Sequence, residues 1–238
     1  MAIKSVYIPE PDIRDAILHI RDEEHRHLSV ARAAPGESIE IFDGLGAVWQ
    51  ATVSAVERRE TLARVDGKRR VEPDAHQLIL GLALIRQTAF EFALEKAVET
   101  GVSRIIPVMA SRSNVKDAAR RDRLHRIIVE AAKQAKRYHL PVLEDPVSFA
   151  SVLRVEAATK IVFAERDGSA LKPAIQGSPA LYLVGPEGGW TDEELRLARS
   201  EGFALVGLGS TILKAETAAV VGTALVRYEL QGPGGRGQ

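Results

Sequence analysis

Apolar residues follow two rhythms along this chain. Over the first 72 residues, short alternating runs are separated by turn residues, which is the period of a half-buried strand. Ser38–Phe42 and 47–53 alternate on either side of Asp43-Gly44 and Leu45-Gly46, which predicts a hairpin. Residues 61–65 predict a further strand, and 19–32 a helix with Leu28 and Ala31 on one side. A small, barrel-like β domain over 1–72 is the expectation, closed by the charged stretch 66–74 as a linker.

From residue 73 the pattern alternates strand and helix. Residues 78–85 form a continuous apolar run, as in a strand covered on both faces. Thr88-Ala-Phe-Glu91 and Thr191-Asp-Glu-Glu194 carry capping-box spacing, each opening a helix that stops at a glycine, Gly101 or Gly202. Strands are expected at 105–109, 161–164, Ala180–Val184 and 204–208. A long basic helix is expected over 117–138 and a last helix over 215–230. The fold class is therefore α/β with a mostly parallel sheet over 73–231, and the tail 232–238 is expected to be disordered.

Composition narrows the chemistry. No cysteine occurs among the 238 residues, so disulfides, thiolate metal sites and cysteine nucleophiles are excluded. Histidine and carboxylate spacing offers no metal site, and no Gly-x-Ser-x-Gly elbow supports hydrolysis. No apolar run reaches the roughly 18 residues of a membrane span, and no signal-peptide pattern opens the chain, so a cytoplasmic protein is expected. Formal net charge is zero, yet residues 110–140 carry nine Lys/Arg against three acids. Such a patch attracts phosphates, although a solvated helix face has the same composition.

Two segments draw the chemistry together. Leu181-Tyr-Leu-Val-Gly-Pro-Glu-Gly-Gly-Trp190 and Leu208-Gly-Ser-Thr-Ile-Leu-Lys-Ala-Glu-Thr-Ala218 each run from a strand through a bare turn into a helix. Neither has the G-x-G-x-x-G or phosphate-loop spacing. Gly185, Gly188 and Gly189 keep the first turn open while Pro186 stiffens it, which suits a ligand lying against backbone. An ordinary strand-to-helix turn remains the alternative.

As a set these motifs resemble the ribosomal RNA small subunit methyltransferase E family, S-adenosylmethionine-dependent enzymes of the SPOUT class. Phe92-Ala-Leu-Glu-Lys-Ala-Val-Glu-Thr-Gly-Val102, Ser113-Asn-Val-Lys116, Glu130-Ala-Ala-Lys-Gln-Ala-Lys-Arg137, and His27, Arg32, Gly36 and Phe42-Asp-Gly44 fit the same family in order. The resemblance implies a trefoil-knotted α/β domain behind a PUA-like, RNA-binding barrel, a homodimer, and methylation of N3 of one uridine in 16S rRNA of the 30S subunit. It implies that Val184, Gly185, Pro186, Gly188, Gly189, Leu208, Gly209, Ile212 and Leu213 hold the cofactor. Arg32, Arg112, Lys116, Arg120, Arg121, Arg123 and Lys133 become RNA-contact candidates.

Methylating N3 requires a base to remove its proton and benefits from a cation near the uracil oxygens. Glu187 or Glu216 is the candidate base, and Arg112, Lys116, Arg137 and Lys214 are candidate cations. Glu130, Gln134 and Arg137, at helical i, i+4, i+7, offer an alternative orienting face, and a structural Glu–Arg pair explains the same spacing. The family carries Arg-x-Leu-Arg-Thr-Glu-Thr-Ala where this chain has Thr211-Ile-Leu-Lys-Ala-Glu-Thr-Ala218. That departure keeps a second reading open, an RNA-binding or ribosome-assembly factor without transfer activity.

Overall fold

The computed structural model describes residues 3–113, 120–166 and 168–232. The chain divides into two compact units, residues 1–73 with 132–140, and residues 74–131 with 141–238.

The first unit holds β1 (Lys4–Tyr7), β2 (Asp12–Arg14), β3 (Ile17–Ile20), α1 (Asp22–Val30), β4 (Ser38–Phe42), β5 (Ala47–Val56) and β6 (Thr61–Arg70). They form one six-stranded sheet in the order β1-β4-β5-β6-β3-β2, with β1 and β4 parallel and the other pairs antiparallel. Leu18, Ile20, Leu28, Ile39, Ile41 and Trp49 lead its buried core.

Two sequence expectations change here. Residues 19 and 20, expected as helix, close the strand 17–20: Leu18 and Ile20 alternate inward, and the run pairs with 61–64 of β6. The helix begins only at Asp22. Residues 66–70, expected as linker, extend β6, because β5 supplies their ladder partners and both strand faces are wet at that end. Lys68 sits over the Trp49 ring, 4.8 Å from its centroid.

The second unit contains β7 (Leu78–Ala83), α2 (Gln87–Thr100), β8 (Arg104–Met109), α3 (Arg121–Ala135, whose last residues count with the first unit), β9 (Val142–Leu143), β10 (Val147–Ser148) and α4 (Phe149–Val152). It continues with β11 (Thr159–Phe163), β12 (Ala180–Val184), α5 (Asp192–Ser200), β13 (Ala204–Val206) and α6 (Ala215–Gln231). Its sheet runs β10-β8-β7-β12-β11-β13, with β9 also on β8, and all its strand pairs are parallel. β7 and β12 are buried throughout, as strands covered on both faces must be.

The Thr191 capping box forms as expected. The Thr88 box does not: α2 starts at Gln87, and the Glu91 carboxylate is taken by Arg123 and Gln87. The described part of α3 ends at Ala135, short of Tyr138, because Lys136 turns into the left-handed region at φ 54° and Arg137 N–H donates back to the Ala132 carbonyl. Among the described residues, no helix is long and apolar enough to cross a membrane.

Candidate functional site

β12, β11 and β13 lie side by side and parallel, so their carboxyl ends open at one edge of the sheet. Open α/β sheets bind ligands at such ends. Residues at and beyond each strand end wall one cavity of about 570 Å³: Phe163 to Arg166 at the end of β11, Gly185 to Trp190 after β12, and Leu208 to Leu213 after β13. All nine expected cofactor-contacting residues, Val184, Gly185, Pro186, Gly188, Gly189, Leu208, Gly209, Ile212 and Leu213, line it.

The walls are fixed by backbone and buried side chains. Gly189 N–H closes a turn onto the Pro186 carbonyl at 2.8 Å, with Gly189 at φ 67°. Trp190, 7% exposed, packs on Phe149 with ring centroids 4.9 Å apart. Its Nε1 donates to the Phe163 carbonyl at 3.1 Å, tying the second loop to the first. A Cβ on Gly185 would stand 3.0 Å from the Trp190 ring, so the bare position allows that packing. The β11 loop is stitched to β13 by Ala164 N–H to the Val206 carbonyl at 3.0 Å and Ser169 N–H to the Leu205 carbonyl at 2.9 Å.

The predicted catalytic set separates. Glu187 lines the cavity, its side chain 36% exposed and one carboxylate oxygen 4.0 Å from Arg86 Nε. Lys214 is the exposed N-cap of α6, without a side-chain cap bond, and Glu216 lies in that helix's first turn. Neither is part of the cavity wall, and neither is Arg137, which belongs to the first unit. Lys136 is left-handed, so Arg137 follows the last turn of the helix that carries Glu130 and Gln134.

The predicted RNA-contact residues separate too. Arg112 lines the cavity. Arg32, at φ 52°, and Arg120 are exposed. Arg121 is exposed but pairs with Asp145 and donates to the Leu143 carbonyl at 2.9 Å, while Arg123 forks onto Glu91. Lys133 is a correction: it is 6% exposed, with Nζ 3.1 Å from Glu24, so its charge is consumed inside the first unit. Lys116 lies outside the described residues.

Sequence reasoning missed the β11 loop, including Glu165 and Arg166, as well as Trp190 and Asp192 in the wall. The available signal was Asp167-Gly168 just past an apolar run, a third strand breaking into a glycine turn. Among the described residues, no cluster of His, Asp and Glu could hold a metal.

A family model described as an RNA methyltransferase domain matches residues 72–227, and one described as an RNA methyltransferase PUA domain matches 20–66. A ribosomal RNA small subunit methyltransferase E of Mycobacterium bovis is 30% identical, over 84% of this chain and 81% of its own length. One from Synechocystis is 28% identical, over 97% of this chain and 79% of its own. The crystal structure of the Neisseria gonorrhoeae enzyme of the same name, bound to S-adenosyl methionine, superposes with a TM-score of 0.87 at 28% identity, covering 95% of this chain and 97% of that one.

Proposed function

The chain belongs to the RNA methyltransferase family, and from that membership we propose that it methylates N3 of a uridine in 16S rRNA of the small ribosomal subunit, using S-adenosylmethionine. The observation that carries this reading is the cavity clasped by three parallel strand ends, with its bare, backbone-rich walls.

The residues fit that cofactor. At about 570 Å³ the cavity lies within the small-molecule range of roughly 300–1,000 Å³. Val184, Ile212 and Leu213 offer apolar contact for an adenine ring, and Glu165, Glu187 and Asp192 place carboxylates around a cationic ligand. When bound, S-adenosylmethionine supplies an electrophilic methyl group on a positively charged sulfur.

The chain's own task is to hold uracil against that group and to take its N3 proton. Glu187, in the wall and partly open to solvent, is the better placed of the two candidate carboxylates; Glu216 is outside it. Arg166, also in the wall, is the cation we assign to the charge that grows on the uracil oxygens. Positioning of this kind is worth more than any single group. Exposed Leu225 and Tyr228 on α6 support a homodimer, and a cytoplasmic site of action accords with a ribosomal substrate. The trefoil knot stands as part of this proposal.

The test is methyl transfer from labelled S-adenosylmethionine to 30S subunits and to naked 16S rRNA, both lacking the native mark, followed by product mapping. N3-methyluridine at one position is the expected result. Cofactor binding without incorporation into either RNA would leave an assembly factor as the better reading.

A further inference from the structure

The chain that leaves β8 is tied to the loop after β12 at two adjacent points. Arg112 Nη1 donates to the Gly188 carbonyl at 2.8 Å and to the Trp190 carbonyl at 3.3 Å. One residue earlier, Ser111 N–H donates to Glu194 Oε1 at 2.8 Å. Glu194 is 5% exposed, and its other oxygen accepts from Thr191 N–H at 2.8 Å and Thr191 Oγ1 at 3.0 Å. The arginine stem also lies on the loop, since a Cβ on Gly188 would stand 3.4 Å from Arg112 Cβ.

A guanidinium carries five N–H donors in one rigid plane, so fixing one nitrogen fixes the direction of the others. Here one nitrogen already bridges two carbonyls of the turn whose residues form the cavity wall. Trp190 passes the constraint on to the end of β11 through its bond to Phe163. Holding these carbonyls holds the shape of the cavity before any ligand arrives, which lowers the ordering cost of binding.

We propose that Arg112 is a positioning residue: with Glu194 it latches the 185–190 loop in its ligand-ready form, instead of serving as an RNA-contacting cation. The consequence for cofactor affinity rests on the reading of the cavity as the S-adenosylmethionine site.

Two measurements on the full chain test this, one of them without cofactor. Backbone hydrogen exchange over 185–190 is expected to quicken about tenfold in Arg112→Ala, the scale of one lost charge-assisted bond. Calorimetric titration with S-adenosylmethionine is expected to show a similar loss of affinity. Arg112→Lys should recover only part of it, because an ammonium lacks the planar fork. In turnover the loss should fall on KM for the cofactor, with kcat at saturation preserved and the salt dependence of RNA binding unchanged. Unchanged exchange in Arg112→Ala would overturn the latch. So would full recovery in Arg112→Lys together with an Arg112→Ala salt slope lower by about one phosphate contact. If the unmutated protein fails to bind S-adenosylmethionine, the reading of the cavity fails, and the exchange measurement still decides the latch.

Discussion

The first unit buries Glu40 among side chains, whereas the second buries Glu194 mainly against backbone N–H groups. Glu40, 7% exposed, takes donors from Arg69 at 3.2 Å, Lys136 at 3.2 Å and Tyr138 at 2.8 Å. Burial pushes its carboxyl up, but these three partners together hold it below the usual carboxylate range. Glu194 is satisfied by Ser111 and Thr191 N–H groups and one hydroxyl, and it shapes a loop that lines a cavity. The difference teaches where charge is spent. In the first unit, cations from residues 132–140 are consumed in making the fold. Around the cavity, the charged wall residues Arg112, Glu165, Arg166, Glu187 and Asp192 are all exposed. A basic stretch in a sequence therefore overstates the surface available to RNA.

The sharpest way to break this comparison is at Lys133. Lys133→Met leaves Glu24 buried without its cation, at a cost of about 3–5 kcal/mol. Urea unfolding followed by tryptophan emission should show it, while S-adenosylmethionine titration should not change. The pH dependence has a definite sign. Burial already raises the Glu24 carboxyl above its ordinary 4.5, against the pull of Lys133. A raised folded value stabilises fully below the unfolded pKa and loses that contribution as pH rises through the folded one. Losing the cation raises the folded value further, so the penalty in Lys133→Met should shrink toward acid and grow toward neutral pH. A stable Lys133→Met protein that has lost RNA affinity would make Lys133 a surface cation and erase the contrast.

The second region should instead fail at its bare positions. A Cβ on Gly168 would stand 2.3 Å from the backbone nitrogen of Gly207 and 2.7 Å from its Cα. Backbone against backbone has no flexible side chain to yield, so Gly168→Ala must spread the ends of β11 and β13. We expect the second unit to lose about 1–3 kcal/mol of stability, the usual cost of overpacking, and S-adenosylmethionine affinity to fall with it. Calorimetry should report that loss, with the first unit's unfolding unchanged. An unaltered affinity would mean that these loop ends do not set the cavity.

The site was legible where its signal was local. Strand, bare turn and capping box stand within ten residues of each other at 184–194, and the structure builds them as the pattern reads. The β11 loop was harder, because Glu165 and Arg166 are ordinary charged residues until β11 is known to lie beside β12. Lys133 was misplaced for a related reason. Glu24 is 109 positions from Lys133, and the left-handed turn at Lys136 occurs without glycine, so neither the partner nor the break shows in the local pattern. In the fold, strands 78–83 and 180–184 announced themselves by continuous apolar runs. β1, β2, β9 and β10 are two to four residues long and carry too few alternations to register.

The finest contrast between the regions lies at a buried bond that supports the cavity without lining it. Tyr182 is fully buried in β12, and its hydroxyl donates to Thr223 Oγ1 on α6 at 2.9 Å. Thr223 in turn donates to the Ala219 carbonyl at 2.6 Å. This chain joins the two elements whose near ends carry the loops at 185–190 and 208–213. Tyr182→Phe removes one bond and leaves Thr223 its acceptor on the helix, so the stability loss should be about 1 kcal/mol. Because the ring still packs against Phe163, the loop ends should keep their places and S-adenosylmethionine affinity should change by less than about twofold. Denaturant unfolding and calorimetry on the same variant separate the two effects. A loss of affinity larger than the loss of stability would make the spacing of β12 and α6, and not the loop latch alone, a determinant of the cavity's shape.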